Sequence, residues 1–145
     1  MRRRNAKTRL RNTLAKLSAE PRTFLRFIGP SVDPTTCARH GLFAATIELR
    51  DSGRASADEL QEIKSHLTWF SAELPSPHYS LFPVRAVFWF RASAKECVRR
   101  AWALTNLLRG HGIVVDVIRS ARPGHILYLD AFQVAVVPGS RGQQG

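Results

Sequence analysis

The segment from Arg85 to Arg91 carries the residue types most suited to contacting a nucleic acid. Its period-two alternation predicts a strand with Arg85, Trp89 and Arg91 on one face. An aromatic ring between two arginines can stack on a base while the guanidinium groups hold phosphates. The segment lacks the glycine and aromatic spacing typical of RNA-recognition strands. The alternative is that this face forms a dimer interface, or a second small core covered by the N-terminal segment.

A second candidate is the turn between two predicted helices, where Arg50 and Arg54 flank Asp51-Ser52-Gly53. Ser56 and Glu59 have the spacing of a capping box, which predicts that a helix begins at Ser56, and Ser93 and Glu96 repeat this spacing at the start of a later helix. A helix N-terminus with arginines nearby is suited to binding a phosphate or a carboxylate. The alternative is a solvated linker in which an arginine contacts Asp51.

Metal and catalytic motifs are sparse. Cys37 and His40 have the spacing of half a zinc site, but the sequence offers no second pair. We therefore expect no metal and no cofactor. A small enzyme would require Cys37, His40, His125 and Asp130 to converge in one pocket, although Asp130 is also well explained as a turn residue.

Basic residues are concentrated at the N-terminus. Residues 1–26 contain nine Lys and Arg and one acid, a net charge of +8, which leaves +3 for residues 27–145. We call residues 1–21 the basic arm, and its Leu10, Leu14 and Leu17 predict one short amphipathic helix. The predicted polyanion-binding residues of the arm are Arg2, Arg3, Arg4, Lys7, Arg9, Arg11 and Lys16.

The elements that must position these residues indicate an α+β fold. Apolar periodicity predicts a strand at 24–28, helices at 39–50 and 56–74, a strand at 85–91, a helix from Ser93 to Leu108, and strands at 113–119, 126–129 and 132–137. We expect two layers, with a helical hairpin and a further helix on one face of a mixed, mostly antiparallel sheet of about four to five strands. The other sheet face would then be open. The predicted domain spans residues 22–138, and residues 139–145 are predicted to be a disordered tail.

Composition narrows the class of protein. The chain has 145 residues, of which 44% are hydrophobic, enough for one domain with a single core. No stretch has the roughly 20 apolar residues of a membrane span, and no signal peptide is evident, so we expect a cytoplasmic protein. The acid-poor start is also typical of an organellar transit peptide. Cys37 and Cys97 are expected to be ordinary thiols.

Several short motifs resemble those of a set of small uncharacterised bacterial α+β proteins. They are His40-Gly41-Leu42-Phe43, Leu49-Arg50-Asp51-Ser52-Gly53-Arg54, Trp69-Phe70, and Pro123-Gly124 followed by Tyr128, Asp130 and Gln133-Val134. The resemblance covers about residues 24–138. It implies a compact bacterial cytoplasmic domain and no particular activity.

Together these features favour a non-enzymatic binding module that contacts nucleic acid or another polyanion through the basic arm, with Arg85, Trp89 and Arg91 contributing. A protein-interaction subunit or a homodimer that uses the open sheet face is the first alternative. A small enzyme of unknown class is the second.

Overall fold

A computed structural model of the chain describes residues 23–32, 34, 39–77, 82–83 and 85–138. The predicted arm helix and the tail lie outside these residues. The described elements, in chain order, are β1 (Phe24–Val32), β2 (Arg39–Gly41), α1 (Leu42–Asp51), α2 (Ala57–Glu73), β3 (Val87–Arg91), α3 (Lys95–Gly110), β4 (Asp116–Ser120), β5 (His125–Leu129) and β6 (Gln133–Val137).

Six strands form one sheet in which every pairing is antiparallel. The path β2-β1-β3-β6-β5 is joined by β4, which pairs with β1. Phe24 pairs with both Arg91 of β3 and Ser120 of β4, and Ile28 pairs with both Gly41 of β2 and Asp116 of β4. Since a residue has one partner on each edge, β2 and β3 occupy the same edge of β1 at different heights.

The three helices pack on one face of the sheet. Leu25 and Phe27 of β1 share the main core with apolar residues of the three described helices, namely Leu42, Ala45, Leu49, Ile63, Phe70, Cys97, Ala101, Leu104 and Leu108. Phe90 packs against the same core, with its ring stacked on Phe70 at a centroid distance of 5.9 Å. We call this the helix face.

The opposite, outer face also carries an apolar cluster. Phe24, Trp89, Val134 and Val136 are buried there, and the apolar residues packed against them are all on strands: Val87, Ile118, Ile126 and Leu129. The strand alternation from Phe24 places Arg26 on this face as well. The outer face therefore carries a second small core, to which the described helices contribute no residue.

The predicted α+β class, with a helical hairpin and a further helix on one face of the sheet, is confirmed. The sheet has six strands because residues 39–41, predicted to open a helix, form β2. β1 also runs past Gly29-Pro30 to Val32, since a register irregularity between Ile28 and Val32 accommodates the proline.

Helix capping was predicted correctly at one helix and wrongly at another. Ser56 and Glu59 form the reciprocal capping box of α2, with hydrogen bonds of 3.1 and 2.9 Å. The box expected from Ser93 and Glu96 is absent, because α3 begins one residue later, after Ala94. Glu96 instead accepts hydrogen bonds from Arg99 and Arg100, which lower its pKa to about 2.

Candidate binding cleft

A cleft of about 1070 Å³ lies where the sheet divides. β3 pairs with β1 at Phe24 and Leu25, and β2 pairs with β1 from Ile28 onward. Between these two pairings, Arg26 and Phe27 pair with β4 on one edge of β1 and with no described strand on the other edge. This unpaired stretch leaves a gap between β2 and β3. The described residues that line the cleft are Leu25, Arg26, Phe27, Ile28, Arg39, His40, Gly41, Leu42, Phe43, Ala44, Pro83, Arg85, Ala86, Val87, Phe88, Trp89, Phe90, Gln133 and Pro138.

Gly29 and Arg39 hold β2 against β1 beyond the gap. A Cβ atom at Gly29 would lie 3.1 Å from the Cβ of Ala45 and 3.3 Å from the carbonyl oxygen of His40, so a larger residue would push these neighbours away by a few tenths of an ångström. The Arg39 guanidinium donates a 3.0 Å hydrogen bond to the carbonyl oxygen of Gly29 and pairs with the Asp116 carboxylate of β4 at 2.7 Å. Arg39 therefore joins three strands and has its charge balanced.

Arg26 lines the same cleft with a charge that is not balanced. The residue is half-buried, and among the described residues no acid pairs with its guanidinium and no group accepts a hydrogen bond from it. Burial and, to a smaller extent, the positive charge of Arg39 lower the pKa of Arg26. An arginine still remains protonated at neutral pH. The described part of the cleft therefore contains a partly desolvated cation with no acid paired to it.

The predicted exposed face of Arg85, Trp89 and Arg91 is wrong for two of its three residues. Trp89 is 2% exposed and Arg91 is 4% exposed, because the outer face of β3 belongs to the second small core. Arg91 donates to the carbonyl oxygen of Asp130 at 3.3 Å. Only Arg85 is exposed, and it lines the cleft. The centre of the sheet face proposed for a dimer or a protein partner is buried, and that alternative stays a prediction.

Trp89 still lines the cleft, and its indole has an unusual feature. The Nε1 atom is buried and has no hydrogen-bond acceptor, the only side-chain polar atom of this kind in the described part of the chain. Buried donors without a partner are rare in folded proteins, since each costs roughly 1–3 kcal/mol. The unpaired indole and the unbalanced Arg26 thus line one cleft.

At the predicted anion-binding turn, Arg50 and Arg54 have local contacts. The Arg50 guanidinium pairs with Asp51 at 3.0 Å, and the backbone N–H of Arg54 donates to the Ser52 hydroxyl at 3.1 Å. The capping box already uses polar groups at the start of α2. An anion bound here would compete with these contacts, so binding at this turn stays a prediction.

The remaining predicted groups do not gather at one place. His40 lines the cleft, whereas His125 and Asp130 do not. Cys37 and the arm residues, Arg2, Arg3, Arg4, Lys7, Arg9, Arg11 and Lys16, lie outside the described residues. Within the described ranges, no three His, Cys, Asp or Glu side chains are close enough together to hold a metal ion.

Arg26 and Arg39 were not among the site residues predicted from the sequence. The signal for Arg26 was present, since one arginine interrupts the apolar run Phe24-Leu25-Arg26-Phe27-Ile28 at a position that shares a face with two buried residues. No comparable signal marked Arg39, because its role depends on the β1–β2 pairing.

Comparison of the chain with protein families, with curated proteins and with solved structures finds no match. None of the helices in the described ranges is both long enough and apolar enough to cross a membrane.

Proposed function

We propose that this protein is a non-enzymatic module that binds an anionic ligand in the cleft between β2 and β3. The observation that carries the proposal is the unbalanced Arg26 guanidinium in the cleft lining. A partly buried cation without a counter-charge loses hydration and gains no ion pair in return. A bound anion would supply the missing partner, and Arg85 at the same cleft would add a second positive charge.

The described lining favours binding over catalysis, because it lacks most of the side chains that commonly catalyse reactions. Its described lining contains three arginines and one histidine, but no carboxylate, thiol, hydroxyl or amine side chain. Most covalent nucleophiles in enzymes are among these groups, and acid–base catalysis in proteins commonly pairs a histidine with another titratable group. The described lining thus offers charge and apolar surface for recognition and few groups for turnover.

The test replaces Arg26 by methionine, which keeps an unbranched apolar stem and removes the charge. Binding of citrate, inorganic phosphate and a short oligonucleotide is measured by calorimetry at low salt. A charge-assisted hydrogen bond contributes about 1.5–3 kcal/mol, so whichever of these anions binds should bind at least about tenfold more weakly to the variant.

Arg119→Met is the matched control, because Arg119 is exposed on β4 and does not line the cleft. Equal losses in the two variants would mean that only the net charge matters, and the proposed cleft site would then be wrong. Far-UV circular dichroism checks that both variants fold.

The second candidate is polyanion binding by the basic arm, favoured by the +8 net charge of residues 1–26. Here Arg2, Arg3, Arg4, Lys7, Arg9, Arg11 and Lys16 would neutralise phosphates of a nucleic acid or a similar polymer. Each phosphate contact adds about 0.7–0.9 to the slope of log affinity against log salt concentration. Deleting residues 1–20 should therefore abolish oligonucleotide binding, and retained affinity with an unchanged salt slope would refute this candidate.

A further inference from the structure

We infer that the ligand of the cleft is an amphiphilic monoanion, with its anionic head at Arg26 and an apolar tail among the aromatic side chains. The inference rests on the proposed function, since it uses the same cleft and the same arginine. It adds the chemical class of the ligand, which the charge of Arg26 alone does not determine.

The size and lining of the cleft require more than a small inorganic anion. Small-molecule sites commonly have volumes of about 300–1,000 Å³, and this cleft reaches about 1070 Å³. Most of its lining residues are apolar, including Phe27, Phe43, Phe88 and Phe90. A phosphate or sulfate ion would contact one end of such a site and leave its apolar walls in contact with water.

The aromatic wall is held in place by contacts within the core. The Phe90 ring lies edge-on to Phe27 and to Phe43, with centroid distances of 6.0 and 6.2 Å. Phe43 in turn packs edge-on against Phe70 of α2 at 4.9 Å. A wall fixed in this way is organised before a ligand arrives, so a tail that enters the cleft orders few side chains.

Polar side chains occupy only a few positions of the described cleft lining, as expected for a site that binds an amphiphile. Arg26 provides an unpaired cation, whereas the charge of Arg39 is balanced by Asp116 at 2.7 Å. Arg85 is exposed to solvent, so Arg26 is the one half-buried arginine of the described lining with no acid paired to it, which favours a single anionic head at Arg26.

The experiment measures the affinity of the full-length protein for straight-chain carboxylates from hexanoate to decanoate, below their micelle concentrations, by calorimetry. Each buried methylene contributes about 0.8 kcal/mol, which corresponds to about a fourfold lower dissociation constant per carbon. Decanoate should therefore bind about 200-fold more tightly than hexanoate when all four added carbons are buried.

Two pairs of variants separate head from tail. Arg26→Met should weaken decanoate binding at least about tenfold, and Arg119→Met should leave it unchanged. Val87→Thr keeps the shape of a half-buried lining residue but makes it polar, and should weaken decanoate several-fold. Its control is Val114→Thr, at a site that is 60% exposed and outside the cleft lining.

The outcomes distinguish this inference from the proposed function. If anions bind in an Arg26-dependent way but acetate and decanoate bind equally, the amphiphile inference is wrong and the anion site stands. If decanol binds as tightly as decanoate and Arg26→Met changes neither, the anion site itself is wrong. Failure of decanoate to bind at millimolar concentration also overturns the inference.

Discussion

Asp130 allows a quantitative test of how the β5–β6 hairpin is stabilised. Its Oδ1 atom accepts backbone hydrogen bonds from Phe132 at 2.7 Å and Gln133 at 2.9 Å. Its Oδ2 atom accepts from the Tyr128 hydroxyl at 2.6 Å and from the Gln133 side-chain amide at 3.3 Å. Asp130→Ala removes all four acceptor contacts at once.

The expected cost follows from these contacts. A net hydrogen bond contributes about 0.5–1.5 kcal/mol, and more when one partner is charged. With partial exposure and shared acceptor atoms, we expect Asp130→Ala to lower the free energy of unfolding by about 3 kcal/mol. Asp130→Asn keeps one oxygen acceptor for the two backbone amides, so about 1 kcal/mol should be lost. At about 4 °C per kcal/mol for a chain of this size, the melting temperature should fall by about 12 and 4 °C.

Urea denaturation followed by circular dichroism measures these losses directly. Asp51→Ala serves as the control, because Asp51 is an exposed carboxylate paired with Arg50 at 3.0 Å, and exposed pairs contribute at most about 1 kcal/mol. If Asp130→Ala costs no more than Asp51→Ala, or no more than Asp130→Asn, the assignment of the turn stability to this carboxylate is refuted.

Three further predictions concern single positions. Gly124→Ala should destabilise the protein by at least about 2 kcal/mol in urea denaturation, because Gly124 has φ +146° and a Cβ there would overlap backbone atoms at the end of β6. In a Cys37→Ser background, Cys97 should react with a thiol-specific disulfide reagent only on unfolding, since burial raises its pKa to about 11; fast labelling under native conditions would contradict this. The pKa of Glu59 is lowered first by its capping-box hydrogen bond with the Ser56 backbone and next by its hydrogen bond with His111. The ionised carboxylate therefore stabilises the fold above its ordinary pKa of about 4.3, and Glu59→Gln should be less stable than the original protein there. This difference should vanish as the pH falls through the lower pKa of the folded state. A difference that stays constant between pH 7 and pH 2 would contradict that reasoning.

The spacing of apolar residues predicted most elements, because apolar side chains recur every three or four residues in the helices and every second residue in most strands. In α3, Cys97, Ala101, Leu104 and Leu108 follow helical spacing, and all four are buried against the sheet. Periodicity failed at β2, where three residues with no apolar alternation join the sheet through backbone bonds and the Arg39 contacts. Such a strand is defined by its partner, which a local pattern does not identify.

The candidate site was harder to predict than the fold, and for a related reason. The alternation of β3 correctly placed Trp89 on the face opposite Phe90, but alternation gives only the side of the sheet, not the exposure of that side. The cleft itself arises because β2 and β3 share one edge of β1, a relation between segments more than 45 residues apart in the sequence. Arg26 acquires its position from that arrangement.

The division of the sheet also has a mechanical consequence. Between the pair formed by β1 and β4 and the unit formed by β3, β6 and β5, the sheet is joined by the pairings of Phe24 and Leu25 and by one further backbone bond, from Ala92 to Thr23. We expect these two parts to rotate slightly about this short seam, which would widen the gap and separate the Phe27 and Phe90 rings while the strand pairings within each part stay intact. Amide hydrogens along the seam should then exchange with solvent faster than those of the β3–β6 ladder, and a molecule could enter the sheet while the domain remains folded.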